Sequence, residues 1–599
     1  MKSKILIGLS IILAAAPTVL LLTAAGTQEK TPDWIAKSDA YTKTVLAIQM
    51  KHHPEAGSRE GLAEYDTKAS QPTLQDENAE RAETEAAVEK LKAALAEKQQ
   101  KEVAQDLQII IRKLELGFKQ EDYARAHLVP FLNASQSVFA GLHILLDEQT
   151  PSDRRASAVV RMGEYAGMES GYQPIAEIMK TRIQEQMAKP GITYPSRTEI
   201  EIELSRDSNY LQGIEDLMKK YNLTGWEEPF AKLKEQLEGY DAWMKATVLP
   251  KSRADFRLAP KDYELRLQGY GIDIPPGELA GTAHQAFNDI QREMMSLAAE
   301  IAKERHLPSS DYRDVIRELK KQQIVGDAIL PFYENRLKDI EKIIVEHQIV
   351  TLPTRPAKIR IASAAETAEQ PAPHMQPPPF MHNTGQKGTF VLPLNIPAKA
   401  GEASTQQYDD FTYDAASWSL IAHEARPGHE LQFDSMLDHG VSLARVKYAF
   451  NSTNVEGWGL YAEYLTKPYM PLDGQLVSLM FRLQRAARAF LDPELQAGKV
   501  TREEAKQLLE KDVCLSPPFA EEEVERFTYR APGQANSYFY GYSKLIQLRK
   551  DTFDALAAKM DLKKFHDFIL AQGLLPPDLL RETVMNDFIP SQKSQSAGD

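Results

Sequence analysis

Between Glu80 and Leu116 the chain has few helix breakers and no strand-like alternation. Glu80–Glu102 is rich in Ala, Glu, Lys and Leu, and Leu107, Ile110, Ile111, Leu114 and Leu116 continue an apolar stripe at near-helical spacing. Such a stripe is the inner face of a helix, and its charged side is a solvated face. The same texture runs from Thr31 to about Pro250, broken by a turn at Pro190–Pro195, and resumes from Lys261 to Ile349. There Pro275-Pro276-Gly277-Glu278 signals a helix start before Leu279–Ile301. A mainly α fold is therefore expected. Thr389–Ile396 is the best strand candidate, and Pro393 marks it as an edge strand, a small β element beside the helix that bears the reactive residues. Ala362–Pro379, with seven Ala or Pro among its first twelve residues, is either an exposed linker or a long loop packed over a site. Asp414 can cap a helix leading to His423. Further helices are expected at Glu456–Leu465, Leu476–Phe490, Arg502–Glu510 and Gln534–Lys550, and a polar, disordered tail from residue 591.

Lys2 and Lys4 precede an apolar run, Ile5–Ala25, that ends in small residues. The charged start and small-residue end favour a secretory signal cleaved near Ala25 over an uncleaved anchor, although the run is about as long as the roughly 20 residues that span a bilayer. No cysteine stands at its end, which argues against a lipoprotein anchor, and no second span of this kind follows. The organisation expected is thus a signal segment (1–26), an N-terminal helical region (27–250), a metal-binding catalytic region (251–590) and a tail (591–599), in a periplasmic or extracellular protein. A net charge of −14 argues against a nucleic-acid partner, which needs a basic face to displace counterions. Cys514 is the sole cysteine, so neither an internal disulfide nor a thiolate cluster is possible, and a metal must be held by His, Asp or Glu.

The segment His423-Glu424-Ala425-Arg426-Pro427-Gly428-His429 carries the chemistry. Two histidines four residues apart on a helix share a face and bind zinc, while the glutamate after the first activates water. Here the second histidine is six residues on, about 120° off that face at roughly 100° per residue. Pro427 removes a helix hydrogen bond and disfavours helical geometry at Arg426, and Gly428 permits an unusual conformation, so a bulge there can return His429 to the ion. Glu456, 27 residues after His429, is the candidate third ligand, leaving the fourth position that a catalytic zinc keeps open. His439 is next in line should His429 not ligate. Glu463 is two turns beyond Glu456 on the same face, either as an orienter of a ligand histidine or as a surface carboxylate. Gln534, Tyr538 and Tyr542 share another helix face, as an aromatic packing stripe or as hydroxyl donors to a developing oxyanion.

These segments, His423–His429 followed by Leu431-Gln432, Glu456–Glu463 and Pro532–Gly541, together with Asp255–Leu258, Tyr263 and Pro275–Leu279, resemble the bacterial domain-of-unknown-function family 885, marked by HExxPGH, EGWxLYxE and PGQAxxYxxG. The resemblance covers most of the chain, most clearly from about residue 250 onward. Glu430 departs from it, standing where members often have a second consecutive histidine. The family looks like a relative of helical zinc peptidases with a glutamate third ligand. The resemblance implies a large helical metallopeptidase-like fold, one zinc held by His423, His429 and Glu456, Glu424 as general base, and Tyr538 as oxyanion donor, with Tyr542 and then Arg530 behind it. The activity expected is hydrolysis of peptide substrates. The alternatives are a catalytically silent peptide-binding protein of the same fold and a metal-dependent amidase or esterase.

Overall fold

The computed structural model describes residues 32–396 and 406–595, so the expected signal segment and residues 596–599 lie outside the described residues. The fold is mainly α, with one small three-stranded sheet and a two-stranded pair. Local signals place many helix ends. The Thr73 hydroxyl accepts from the Asp76 amide to open Leu74–Ala96, and Pro276 occupies the first turn of the long helix Pro276–Arg305. The expected cap Asp414 is instead the first helical residue, with Tyr413 before it, and its carboxylate pairs with Arg336 at 2.6 Å. The tail is helical as far as Gln595, because Ile589 and Phe588 are buried and anchor a last helix, Ile589–Gln595.

The apolar residues form two cores, which divide the chain differently from a single boundary at residue 250. The smaller core is built mainly from residues 129–248, including Phe139, Ile183, Tyr210 and Leu233, with Ala69, Ala365 and Ala368 added from outside that range. The larger one joins the first helices, Asp33–His52, Leu74–Ala96 and Lys101–His127, to almost everything after Tyr263. The expected stripe supplies Leu107, Ile110 and Ile111 to this larger core. No helix of the described residues is long and apolar enough to cross a membrane.

The sheet consists of β1 (Lys358–Ile361), β2 (His374–Gln376) and β3 (Thr389–Leu392). β3 lies in the centre, parallel to β1 and antiparallel to β2. This reverses the edge assignment: Pro393 falls just past the last paired residue, so its missing N–H interrupts no ladder bond. The 362–379 segment is no free linker. Its short helix Ala364–Glu369 buries Ala365 and Ala368 in the smaller core, while β2 pairs with β3.

Six helices carry or wall the candidate site: α1 (Asp414–Leu420), α2 (His429–His439), α3 (Ser452–Thr466), α4 (Leu472–Gln496), α5 (Pro517–Glu525) and α6 (Asn536–Leu556). α4 is buried along most of its length, with Leu476, Leu479, Leu483, Ala486 and Leu495 inaccessible. It packs along Pro276–Arg305 on one side and α1 and α6 on others. A helix enclosed this way has no solvated face on which to place charge.

Candidate metal centre

α1 runs into a wider π-type turn, Ile421–Ala425, which carries His423 and Glu424 and against which β2 and β3 pack. The helix stops there. Arg426 is extended (φ −124°, ψ 135°), its peptide bond to Pro427 is cis, and the chain turns helical again at His429. The expected detour thus takes the form of a complete break between two helices. Gly428 is not left-handed, with φ −77°; glycine is required there because a Cβ would overlap the His423 carbonyl oxygen. The buried Arg426 secures the break, donating to Glu430 at 2.7 and 3.1 Å, to Glu341 at 2.7 Å and to the Arg355 carbonyl. Glu430 is therefore Arg426's partner and takes no part in the histidine cluster.

The break swings the two imidazoles together, edge to face, with centroids 4.6 Å apart. Glu456 reaches between them from α3. Its Oε2 lies 3.5 Å from His423 Nε2 and 3.4 Å from His429 Nε2. These three side chains place their ligand atoms within 4.8 Å of one another, the one such His, Cys, Asp or Glu group among the described residues. His439 stands apart at the exposed end of α2, with its Nδ1 on the Ser435 carbonyl. Glu463 is an orienter: its Oε1 is 2.7 Å from His423 Nδ1, which leaves Nε2 to face Glu456, and its other oxygen accepts from the Ser419 hydroxyl. The rest of the EGWG segment has equally local tasks. The Trp458 indole N–H donates to the Pro427 carbonyl at 2.9 Å, tying α3 to the break. Gly459 leaves room for the His423 ring, and Gly457 meets Gly541 of α6 where the two helices cross.

Burial would push the His423 imidazole down, but the bonds to Glu456 and Glu463 outweigh it and raise it to about 9. Burial likewise opposes the charge on Glu456, yet the two imidazoles hold its carboxyl well below the usual carboxylate range. In Glu424 burial prevails over the nearby imidazoles and pushes the carboxyl up. Its Oε2 and the His429 Nδ1 are buried without a hydrogen-bond partner.

Tyr538, on the first turn of α6, stacks against His423 with centroids 6.4 Å apart and an interplanar angle of 19°. Its hydroxyl accepts a long bond, 3.4 Å, from Arg526 Nη1. Tyr542, one turn on, points elsewhere: its hydroxyl accepts from Arg482 at 3.0 Å and its ring meets Tyr464. Arg530 is engaged with Glu522 and the Glu369 carbonyl, and Gln534 donates to Ser452. Tyr538, Glu424 and the three candidate ligands line one cavity of about 240 Å³, roofed by Gln370, Ala372–Met375 and Pro377. The 362–379 segment is therefore the packed loop, not the linker. A second cavity, about 480 Å³, adjoins it at Glu456, Arg526 and Tyr538.

The sequence reading missed three arginines in the smaller cavity: Arg485 and Arg488 from α4, and Arg526 from the turn after α5. For the two on α4 a signal was present in Arg482, Arg485 and Arg488, three residues apart in a mostly apolar stretch from Leu476 to Leu491.

Fold and site define a mainly helical protein with a buried pair of histidines and a glutamate close enough together that they could hold a metal ion. Within that class the chain belongs to the family described as "Bacterial protein of unknown function (DUF885)", whose model matches residues 54–584. No curated protein matches it. Two solved structures share the fold. One is that of a candidate lipoprotein of unknown function from Shewanella oneidensis, with 18% identity, TM-score 0.68, 91% of this chain and 99% of that one covered. The other is that of a candidate lipoprotein from Colwellia psychrerythraea, with 17% identity, TM-score 0.73, 93% and 99% covered.

Proposed function

We propose that this chain is an exported, zinc-dependent peptidase. The observation that carries the reading is the convergence of His423, His429 and Glu456 on one point, with the Glu424 carboxylate, its Oε2 without a hydrogen-bond partner, in the same cavity. Two imidazole nitrogens and one carboxylate oxygen are a zinc-type donor set with room for a fourth ligand, and the Glu463–His423 bond is the outer support such ligands have. A divalent cation held there supplies Lewis acidity and makes a water easier to deprotonate. Glu424, buried beside it with a raised pKa, accepts that water's proton and passes it to the leaving amine. The Tyr538 hydroxyl donates to the oxygen that gains charge as the scissile carbonyl is attacked. A silent binding protein has no use for a buried carboxylate oxygen left without a hydrogen bond at this point, which favours the catalytic reading. Metal analysis of the purified protein, with a peptide-library digest run with and without chelator, tests the proposal. About one zinc per chain and chelator-sensitive cleavage are expected; absence of either overturns it.

Tyr538→Phe removes only a hydroxyl, so packing against His423 survives. The expected result is a fall in kcat of about 10²–10³-fold with KM little changed, because the bond forms mainly in the transition state. Tyr542→Phe, whose hydroxyl faces Arg482, should turn over normally. The reverse pattern would make Tyr538 a packing residue.

Export rests on the Lys2–Gly26 segment, and the lipoprotein descriptions of the two structures of similar fold accord with it. The mature protein should begin near Gly26 or Thr27 on N-terminal sequencing. A chain retaining Met1 in the cytoplasm sinks this part of the proposal.

A further inference from the structure

The cavity that holds Glu424 and the candidate ligands also holds three guanidinium groups, and they outnumber the carboxylates that serve them. Arg488 makes a two-pronged pair with Glu523, at 2.5 and 2.8 Å, and its Nη1 is buried with no partner. Arg485 donates to its own helix, to the Phe481 carbonyl and the Gln484 side chain, and its Nε is likewise unpartnered. The nearest carboxylate to Arg485 is Glu463 at 3.9 Å, already taken by His423 and Ser419. Arg526 meets Glu523 only at 3.8 Å and the Tyr538 hydroxyl at 3.4 Å. The side chains of Arg485 and Arg488 are 9% and 3% exposed. Cations are kept this deep when something anionic pairs with them, and Glu523 satisfies one of the three.

The positions of these groups say which anion. All three surround Tyr538: the Arg488 guanidinium sits 4.5 Å and that of Arg485 5.9 Å from its ring centroid, while Arg526 reaches its hydroxyl. Arg485 and His423 flank the same Glu463 carboxylate, which puts the Arg485 guanidinium about one or two residue lengths, at roughly 3.3–3.6 Å each, from the ligand cluster. The cavity, about 240 Å³, is smaller than the ~300–1,000 Å³ of an ordinary small-molecule site. It takes one or two amino-acid residues, with Phe450, Phe433 and Val455 as apolar walls. The adjoining cavity has Arg526 and Arg530 in its lining but six glutamates, Glu199, Glu203, Glu369, Glu456, Glu522 and Glu523, so acid outweighs base there and it is the poorer place for a carboxylate. A planar guanidinium matches a carboxylate in two-pronged fashion.

We infer that Arg485, Arg488 and Arg526 bind the terminal carboxylate of a peptide, so that the enzyme trims one or two residues from the C-terminus. This rests on the peptidase reading, and the test separates the two. The probe is Ala-Ala-Ala-Phe as the free acid and as the C-terminal amide, titrated calorimetrically into zinc-loaded Glu424→Gln protein, which keeps the cavity without turnover. The acid is expected to bind about 10²-fold more tightly than the amide, the size of effect usual when a buried charge pair loses one partner. Arg526→Gln and Arg485→Gln should each shrink that ratio at least tenfold, and Arg485→Lys should restore part of it. Metal content and thermal melting of each variant show that it is folded; if Arg485→Gln does not fold, Arg526→Gln alone decides. Wild-type protein is given both peptides in parallel, together with an amidated peptide carrying Glu before its last residue. Equal binding and equal cleavage of acid and amide, or recognition of the internal Glu in place of the terminus, overturns the inference and leaves the peptidase reading standing. Absence of all cleavage with the acid–amide discrimination intact overturns the peptidase reading, and the trimming with it, while the carboxylate site stands.

Discussion

Glu424→Gln should retain its zinc and lose about 10²–10⁴-fold in turnover, the usual worth of a general base. Glutamine preserves the shape and the buried position of the side chain but cannot accept a proton. Glu424 donates nothing to the three-ligand cluster, and its Oε2 has no protein partner whose loss would disturb the fold. The effect should therefore fall on kcat at unchanged metal content, read by steady-state kinetics beside elemental analysis. Turnover near the wild-type value would remove Glu424 from the mechanism, and loss of zinc in this variant would reassign it as a ligand.

His429→Ala should abolish metal binding and, with it, measurable activity. Loss of an outer-shell partner typically costs about 10–100-fold in metal affinity; loss of a direct ligand removes one of only three protein donors. The two other candidates nearby in sequence are engaged elsewhere. His439 is exposed and bonded to its own helix, and Glu430 is held by Arg426. His429 makes no hydrogen bond through Nδ1, so removing the ring breaks no network beyond the cluster itself. Full zinc occupancy in this variant would mean that the helix break serves some other purpose than ligation. Together the two variants separate the roles, since one is expected to lose turnover with metal retained and the other to lose metal.

The segments that could be read from the sequence are those whose chemistry is local. Helical spacing at Leu107–Leu116 needed only the 3.6-residue period, and the Pro-Gly pair announced a break because proline restricts the backbone and removes a donor while glycine frees it. The histidines, the glutamate after the first and the candidate third-ligand glutamate lie within 34 positions of one another, His423 to Glu456, and their residue types limit a metal's donors to nitrogen and oxygen. Glu463 was ambiguous in sequence because an orienter and a surface carboxylate look alike on a helix face. Only the packing of α3 against the 421–425 turn, with Gly459 making room for the His423 ring, put its oxygen 2.7 Å from Nδ1.

What the sequence determined by itself was a mainly helical protein, a helix interrupted at Arg426–Gly428, and the donor types available to an ion. The tertiary structure decided how those parts meet. It made Thr389–Leu392 the central strand, folded 362–379 over the cavity, turned Tyr538 toward His423 and Tyr542 toward Arg482, and enclosed Arg485, Arg488 and Arg526 beside the ligands. Period and propensity act over a few residues, whereas each of these outcomes depends on which helix faces which. That choice is settled where α3 and α6 cross at Gly457 and Gly541, and where the wholly enclosed α4 must find partners for its charges.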